Sequence, residues 1–267
     1  PRHFDVLVLG GGVAGASAGL CLLNRGNVSV GLIESGNHLE ERAGESISPS
    51  VKPLLNFLGL WDQFVQTNSL EELGCEAAWG SSQLRSLDTS TVLKNKRWYI
   101  DRNQFDVMLT DSFAARGGTL FGNTKVITCK KHVSKGWLVT AKNAIGEVNQ
   151  FTCQYLIDAS GRRGLLRTNL NLSLSVYDRL VGVGCVGDIP TGKTFAKGVQ
   201  IEACEYGWWH ISPLPNHKIS VVLMSDPDII SHMKVSQTDV WTTLMKKMPI
   251  TGSMMEGITF KDKPRSF

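Results

Sequence analysis

Three glycines near the start of the chain are the first residues whose spacing suggests chemistry. Gly10, Gly12 and Gly15 fill the pattern G-x-G-x-x-G directly after an apolar run over residues 4–9. In this pattern the first glycine permits a tight turn, the second lets the backbone approach a pyrophosphate, and the third lets the following helix pack closely on the strand. The phosphates then lie at the positive N-terminus of that helix. The spacing therefore predicts a dinucleotide site.

An acidic residue follows at the place where such a site needs one. Glu34 stands 19 residues after Gly15, at the end of a second apolar run over residues 28–33. A carboxylate at this point accepts a hydrogen bond from a ribose hydroxyl. It disfavours a 2′-phosphate, so NADP is not expected here. NAD and FAD both remain open on these residues alone.

Two later segments bear on the choice between NAD and FAD. In residues 155–167 a predicted strand ends in Asp158, and a Ser-Gly turn at Gly161 leads into a helix-like run. Arg102 begins a predicted helix, where a guanidinium can clamp phosphate oxygens; the alternative is an exposed i,i+4 pair with Asp106. Nicotinamide dehydrogenases do not usually repeat such an element after a β-meander, so the segment around Asp158 favours FAD.

The elements that must position these residues are predicted from hydrophobic periodicity. Residues 4–9, 13–23 and 28–33 predict a strand, a helix and a strand, which is the βαβ context that the glycine pattern requires. A helix is also expected from Asp101 to about Arg116. A meander and one further strand are expected at residues 126–129, 137–142, 148–152 and 155–158. Antiparallel strands and then a helix are expected at residues 180–187, 199–205, 208–212, 218–224 and 238–248.

The predicted fold class is therefore α/β, with a Rossmann-like FAD-binding domain interleaved with an antiparallel-sheet substrate domain. We expect the FAD-binding domain over residues 1–70 and 95–178, including a β-meander at 123–152. The substrate domain is expected over residues 71–94 and 179–267. The chain shows no internal repeat and no low-complexity linker, so the two domains are expected to interleave along the chain.

Composition excludes several functional classes. The 267 residues are 42% hydrophobic and 19% charged, which is typical of a globular protein with a sizeable core. The net charge of +4 is small and evenly spread, so no nucleic-acid partner is predicted. The six cysteines contain no C-x-x-C pair, so neither a metal site nor a disulfide framework is predicted. We find no signal peptide and no apolar run near the ~18 residues of a membrane span. The expectation is a cytoplasmic protein without a membrane span.

Several segments occur together in an order that is specific to one superfamily. They are the glycine loop, RAGESISPSVKPLLNFLGLW, RWYIDRNQFD, DASGRRG and GWWHISPLP. Over nearly its whole length the chain resembles FAD-dependent monooxygenases of the hydroxybenzoate-hydroxylase fold. Within that superfamily it is similar to the group that contains tryptophan halogenases. The same group contains flavoproteins that hydroxylate a protein tryptophan to mature tryptophylquinone-type cofactors of amine and amino-acid oxidases.

The resemblance implies roles for residues at matching positions. Those that would contact FAD are Gly10, Gly12, Gly15, Glu34, Arg42, Gly44, Ser46, Arg102, Asp158 and Gly161. Those of the sheet that would face a substrate cavity are Trp208, Trp209 and Pro213.

Glu45 and His210 are the candidate catalytic residues. Each has a plainer alternative, because a loop acid commonly fixes its own loop and a histidine commonly is only hydrogen-bonded or exposed. The two tryptophans are expected to be wall and core rather than reactive groups. Because side chains alternate along a strand, Trp208 and His210 cannot point the same way as Trp209.

Two departures from the family pattern shape the expected activity. Tryptophan halogenases carry an essential lysine in a segment resembling EAAWGSS; here that position is Gly80, and no lysine lies between Pro53 and Lys94. Halogenation is therefore disfavoured. The late Gly-Asp motif of the fold is absent as far as Phe267, so we expect a C-terminal portion to be missing from the sequence.

The function expected from the resemblance is that of an FAD-dependent monooxygenase. It would hydroxylate an aromatic group through a flavin hydroperoxide, with a tryptophan of a partner precursor protein as the substrate during quinone cofactor biosynthesis. No second G-x-G-x-x-G occurs, so electrons are expected from an external donor: NADH, a reductase or reduced flavin. The alternatives are a flavin-dependent halogenase or small-molecule hydroxylase, a geranylgeranyl-reductase-type flavoprotein, and a flavin-free binding module.

Overall fold

A computed structural model of the protein describes residues 1–36, 45–71, 74–87, 97–132, 136–195 and 198–266. The described strands, in chain order, are β1 (Arg2–Leu9), β2 (Val30–Ile33), β3 (Glu45–Ile47), β4 (Leu70–Glu71), β5 (Cys75–Ala78), β6 (Arg85–Leu87), β7 (Trp98–Ile100), β8 (Thr119–Phe121), β9 (Lys125–His132), β10 (Gly136–Lys142), β11 (Val148–Asp158), β12 (Val181–Asp188), β13 (Val199–Cys204), β14 (Gly207–Leu214), β15 (Lys218–Ser225), β16 (Thr259–Phe260) and β17 (Arg265–Ser266). The described helices are α1 (Val13–Arg25), α2 (Val51–Leu58), α3 (Trp61–Val65), α4 (Arg102–Ala115), α5 (Leu165–Asn169), α6 (Pro227–His232), α7 (Thr238–Lys247) and α8 (Pro249–Met254).

The chain divides into two compact units that interleave along the sequence. Unit 1 comprises Pro1–Glu41, Leu54–Phe64 and Asn103–Ser175. Unit 2 comprises Arg42–Pro53, Val65–Arg102 and Val176–Phe267. The predicted domain boundaries differ from these over residues 42–53, 65–70, 95–102 and 176–178, which were assigned to the FAD-binding domain but lie with unit 2.

Unit 1 is built around a six-stranded mixed sheet of order β8-β2-β1-β11-β10-β9. The first four strands run parallel, and β11, β10 and β9 form the predicted antiparallel meander. The apolar run of β1 is buried from Val6 to Leu9, as expected for a parallel strand covered on both faces. This sheet carries the ends of β1, β2 and β11 to one edge, because parallel strands end on the same side.

One strand of unit 1 differs from its prediction. Two separate strands were expected at residues 148–152 and 155–158, but β11 runs without a break from Val148 to Asp158. No turn-forming residue interrupts it, and it has to be long because β1 pairs with one edge and β10 with the other. The later part is also less buried than expected, since Tyr155 is 69% exposed.

Unit 2 contains a sheet of order β16-β12-β15-β14-β13-β5-β6, with β17 also paired to β12. It is antiparallel except where β13 lies parallel to β5. A second, three-stranded sheet has the order β3-β7-β4. The core of the unit packs one face of the large sheet against residues of α6 and α7, including Ile230, Trp241 and Met245. The α/β class with an additional antiparallel sheet is thus confirmed.

Candidate functional site

The predicted glycine loop connects β1 to α1, and its three glycines have different surroundings. Gly10 has a φ of +104°, a conformation that side chains rarely adopt. A Cβ at Gly15 would overlap the carbonyl oxygen of Gly10, so only glycine lets α1 start this close to the loop. At Gly12 a Cβ would meet nothing within 4 Å. The backbone around Gly10 and Gly15 is therefore too closely packed for a side chain, whereas the space beside Gly12 is open.

Glu34 follows β2 and turns its carboxylate toward this loop. The side chain is buried. Its carboxylate accepts hydrogen bonds from the N–H groups of Gly11, at 2.5 Å, and Gly36, at 2.6 Å. The Ser35 hydroxyl also donates, at 3.4 Å, to the oxygen that accepts from Gly36. The oxygen that accepts from Gly11 keeps a second lone pair for a ribose hydroxyl. The acid predicted from its spacing lies where a dinucleotide site needs it.

The segment around Asp158 lies directly against the glycine loop. Asp158 ends β11 opposite Leu9, and the Ala159 N–H donates to the Leu9 carbonyl at 2.8 Å. A Cβ on Gly10 would overlap the Ala159 carbonyl oxygen. Two segments separated by almost 150 residues are thereby in contact. The backbone of Ala159 leaves no room for a side chain at position 10, so only glycine fits there.

The Asp158 carboxylate is already engaged by its own chain. One oxygen accepts from the N–H and the hydroxyl of Ser160, and the other accepts from the Leu166 N–H at 2.8 Å. Ser160 in turn accepts from the Leu165 N–H at 2.8 Å. These bonds satisfy amides at the start of α5 that have no partner within the helix. Asp158 therefore shapes the turn that ends at Gly161, whose φ is +67°.

Ser46 and Arg102 are held by the three-stranded sheet of unit 2. In β3, Glu45 lies opposite Ile100 and Ser46 opposite Tyr99. Arg102 begins α4 two residues after β7 ends. Asp106 is fully buried, so the alternative of an exposed Arg102–Asp106 pair does not apply. Arg42, Gly44 and the side chain of Glu45 lie outside the described residues.

The tryptophans and histidine of β14 separate onto two faces, as alternation predicts. Trp209 is fully buried, and its ring packs on Trp241 with centroids 5.4 Å apart. Pro213 is buried and shares the parity of Trp209 along the strand. Trp208 and His210 take the other face and are only partly buried. The two tryptophans expected at one cavity are thus on opposite faces, with Trp209 in the core.

His210 has an environment that favours its neutral form. Burial lowers the pKa of the imidazole below its ordinary value of 6.5, because removing water disfavours the charged ring. A neutral imidazole offers one donor and one acceptor nitrogen.

Three structural residues of these sites were missed by sequence reasoning. They are Gly11, Ser160 and Trp79. Gly11 and Ser160 stand inside recognised motifs, but their hydrogen bonds depend on tertiary contacts. Trp79 directly follows β5, in the segment EAAWGSS, where sequence reasoning considered only the absent lysine.

The described residues contain neither a metal-binding cluster nor a membrane-spanning helix. Within those ranges no group of three His, Cys, Asp or Glu side chains is placed to hold a metal ion. Of the helices in the described part of the chain, none has the length and apolar character needed to cross a bilayer.

Comparison with known proteins identifies the family. The model of the FAD binding domain matches residues 3–204. The chain belongs to this family of FAD-binding proteins. It is 31% identical over 257 residues, covering 96% of its own length and 69% of the relative, to the putative FAD-dependent oxidoreductase LodB of Marinomonas mediterranea. The family match and this relative together show that the chain is an FAD-dependent oxidoreductase.

Halogenases are also among the relatives, as the resemblance predicted. The chain is 23% identical to the tryptophan 2-halogenase of Chondromyces crocatus, covering 100% of itself and 52% of that enzyme. It therefore spans about half the length of this halogenase.

Solved structures share the fold at lower identity. A flavoprotein/dehydrogenase from Cytophaga hutchinsonii superposes with a TM-score of 0.88 at 19% identity, covering 100% of this chain and 66% of that one. The myxobacterial chondrochloren halogenase CndH gives 0.87 at 21% identity, with 100% and 64% coverage. These likenesses confirm the predicted fold.

The open glycine loop fits the cofactor of the family. The space beside Gly12 allows the backbone to approach a pyrophosphate, and the N-terminus of α1 favours its charge. Glu34 retains acceptor capacity for a ribose. These residues of unit 1 are those that would hold the ADP portion of FAD.

Proposed function

We propose that this chain is the FAD-binding part of a monooxygenase that hydroxylates an electron-rich aromatic group, with a tryptophan of a partner protein as substrate. The carrying observation is the open Gly12 side of the glycine loop, in a chain 31% identical to a putative FAD-dependent oxidoreductase. The aromatic substrate class is supported by Trp208 and His210 on the less buried face of β14.

The proposed reaction has a simple balance. One atom of O₂ enters the ring. The other is reduced to water, which consumes two electrons and two protons from an external reductant. FAD supplies the electron transfer and the activation of oxygen when it is bound. The chain's own contribution is to bind the ADP portion through the glycine loop and Glu34.

Gly80 supports hydroxylation over halogenation. This residue, at the position of the halogenase lysine, has a φ of +70°. A lysine in that conformation would cost about 1–2 kcal/mol. The left-handed backbone at this position favours glycine, and no lysine lies between Pro53 and Lys94.

Halogenation remains the second candidate, because halogenases are close structural neighbours, with CndH at a TM-score of 0.87. The two proposals differ in what joins the ring. A halogenase needs halide and adds a halogen atom, whereas a monooxygenase adds an oxygen atom from O₂.

The test uses the full-length protein with FAD, a reductant and isotopically labelled O₂. N-acetyl-tryptophanamide and a candidate precursor protein serve as substrates, with and without bromide. The expected result is a visible flavin spectrum and one labelled oxygen atom on tryptophan, unchanged by bromide. A bromide-dependent mass gain would show a halogenase instead. A colourless protein that retains no flavin, or one that never consumes O₂, contradicts the proposal.

A further inference from the structure

The five-residue helix α5 connects two parts of unit 1 that are far apart in the sequence. Its start hydrogen-bonds to the Asp158 turn, and its last residue, Asn169, hydrogen-bonds to β9. Every residue of α5 keeps some of its surface exposed, and a helix this short is unstable on its own. The position of α5 therefore depends on the contacts at its two ends.

The start of α5 is fixed to the segment that borders the glycine loop. The first two N–H groups of the helix donate to the hydroxyl oxygen of Ser160 and to the carboxylate of Asp158, each at 2.8 Å. Ala159 lies between these two acceptors, and its carbonyl oxygen would overlap a Cβ on Gly10. A shift of the helix start would therefore move backbone that touches the glycine loop.

The end of α5 is fixed to the edge of the six-stranded sheet. β9 is the last strand in the order of that sheet, and an edge strand turns some of its backbone N–H groups away from the sheet. The N–H of Cys129 donates to Oδ1 of Asn169 at 3.1 Å. Nδ2 of the same side chain donates to the Leu165 carbonyl oxygen at 2.9 Å. One amide side chain thus joins β9 to the last and the first residue of α5.

Apolar packing anchors only the first part of this helix. Leu165 and Leu166 are the apolar residues of α5, and both pack against the core cluster that contains Cys129. The next three residues are Arg167, Thr168 and Asn169. The hydrogen bond from Cys129 therefore fixes the end of the helix that apolar packing does not.

We propose that Asn169 is a positioning residue of the flavin site. By holding α5 to β9, it keeps the Asp158 turn against Gly10, so the glycine loop is already formed when the ADP portion of FAD binds. A preorganised site binds more tightly, because less order has to be imposed during binding. This inference concerns FAD binding, which the whole family shares, and it does not depend on the substrate.

The coupling has to act in both directions. If the hydrogen bond between Cys129 and Asn169 strengthens FAD binding, FAD binding must strengthen that hydrogen bond by the same factor. A purely structural role of Asn169 would give no such response in the folded protein. The amide of Cys129 therefore reports on the proposal directly.

The first test measures hydrogen exchange of the full-length protein by mass spectrometry, without ligand, with saturating FAD and with saturating ADP. Exchange at the Cys129 amide, followed in peptides of β9, should slow about 2- to 10-fold with either ligand. Helix α7 of unit 2 is the internal reference and should exchange alike in all three samples. The inference is overturned if β9 does not respond, or if α7 slows by the same factor. A response to FAD but not to ADP would also contradict it, because the coupling would not pass through the glycine loop.

Variants test the same coupling from the other end. Asn169→Ala should raise the Kd of FAD about 2- to 10-fold, the contribution of one hydrogen bond. Asn169→Asp keeps an acceptor for the Cys129 N–H and should retain more affinity than Asn169→Ala. Thr168→Ala, at the exposed neighbouring position, is the matched control and should bind FAD as the wild type does. Unchanged affinity in Asn169→Ala, or an equal loss in Thr168→Ala, contradicts the inference.

The exchange experiment uses the wild-type protein, so it decides the matter even if Asn169→Ala does not fold. Neither measurement involves oxygen, a reductant or an aromatic substrate. Their failure would leave the proposed function standing, and a failure of hydroxylation would leave the role of Asn169 standing.

Discussion

The two units build their candidate sites in different ways. In unit 1, the glycine loop and the Asp158 turn are held by backbone hydrogen bonds and by contacts so close that only glycine fits. In unit 2, the candidate residues are side chains, and the strand sorts them onto a closed face and an open face. The backbone site is specified by residue type at fixed spacing, whereas the role of each side chain in unit 2 depends on which face it occupies.

The largest expected effect tests the two faces of β14. Trp209→Ala should lower the free energy of unfolding by about 3–5 kcal/mol, because it removes a fully buried indole from the core. Trp208→Ala should cost less than half as much, since that ring is only partly buried. Urea denaturation of both variants measures the difference. Equal losses would show that the two faces are not distinct.

The next effect tests the close contacts of the glycine loop. Gly15→Ala should destabilise the protein by about 1–3 kcal/mol, because the new methyl group overlaps backbone that cannot move aside cheaply. The variant should also lose flavin, which is measured as the ratio of bound flavin to protein after gel filtration.

Gly12→Ala is the matched control within the same loop. Its φ of −69° suits alanine, and a Cβ meets nothing within 4 Å. Because Gly12 is the N-cap of α1, where alanine is less favourable than glycine, the free energy of unfolding should fall by at most about 1 kcal/mol. Flavin retention should fall because the methyl group occupies the open side. Normal flavin retention would place the cofactor elsewhere.

A smaller effect distinguishes a structural from a direct role of Asp158. Asp158→Asn should cost about 1 kcal/mol, because an amide nitrogen cannot accept the Leu166 N–H that the carboxylate now satisfies. Asp111→Asn, at an exposed position of α4, should be neutral. Loss of flavin affinity at unchanged stability would instead show that Asp158 contacts the cofactor itself.

The smallest effect is a pH dependence at the open face of unit 2. Burial lowers the pKa of His210 in the folded protein, so the unfolded chain binds a proton first as the pH falls. Stability should therefore decrease as the pH drops below 6.5, and the decrease should stop once the folded imidazole is protonated.

Comparing wild type with His210→Gln by urea denaturation from about pH 8 to about pH 5 isolates this contribution. Identical pH profiles for the two proteins would contradict the assignment to His210.

Asp5 contributes to the pH dependence of stability at lower pH. Hydrogen bonds from the Ser29 backbone and hydroxyl hold its pKa below 3.8, so its contribution to stability is present above that pH and is lost as the pH falls further.

The same contrast explains how much could be predicted from sequence. The glycine loop, Glu34 and the meander follow from spacing and alternation over short segments, and the structure places them as expected. The hydrogen bond that the Leu166 N–H donates to Asp158 could not be predicted, because it depends on how the turn folds back in three dimensions. The core position of Trp209 required knowing which face of β14 the helices cover. The short helices α6 and α8 were missed because six residues carry too little periodicity.

The pairing of β1 with β11 has a consequence for the order of folding. His3 and Thr152 are hydrogen-bonded across a separation of 149 residues. At a synthesis rate of roughly 5–20 residues per second, about 8 to 30 s pass between the emergence of these two strands from the ribosome. During that interval one edge of β1 has no partner strand, and such edges are prone to aggregation. The nascent chain is therefore expected to need chaperones most before residue 158 has been made.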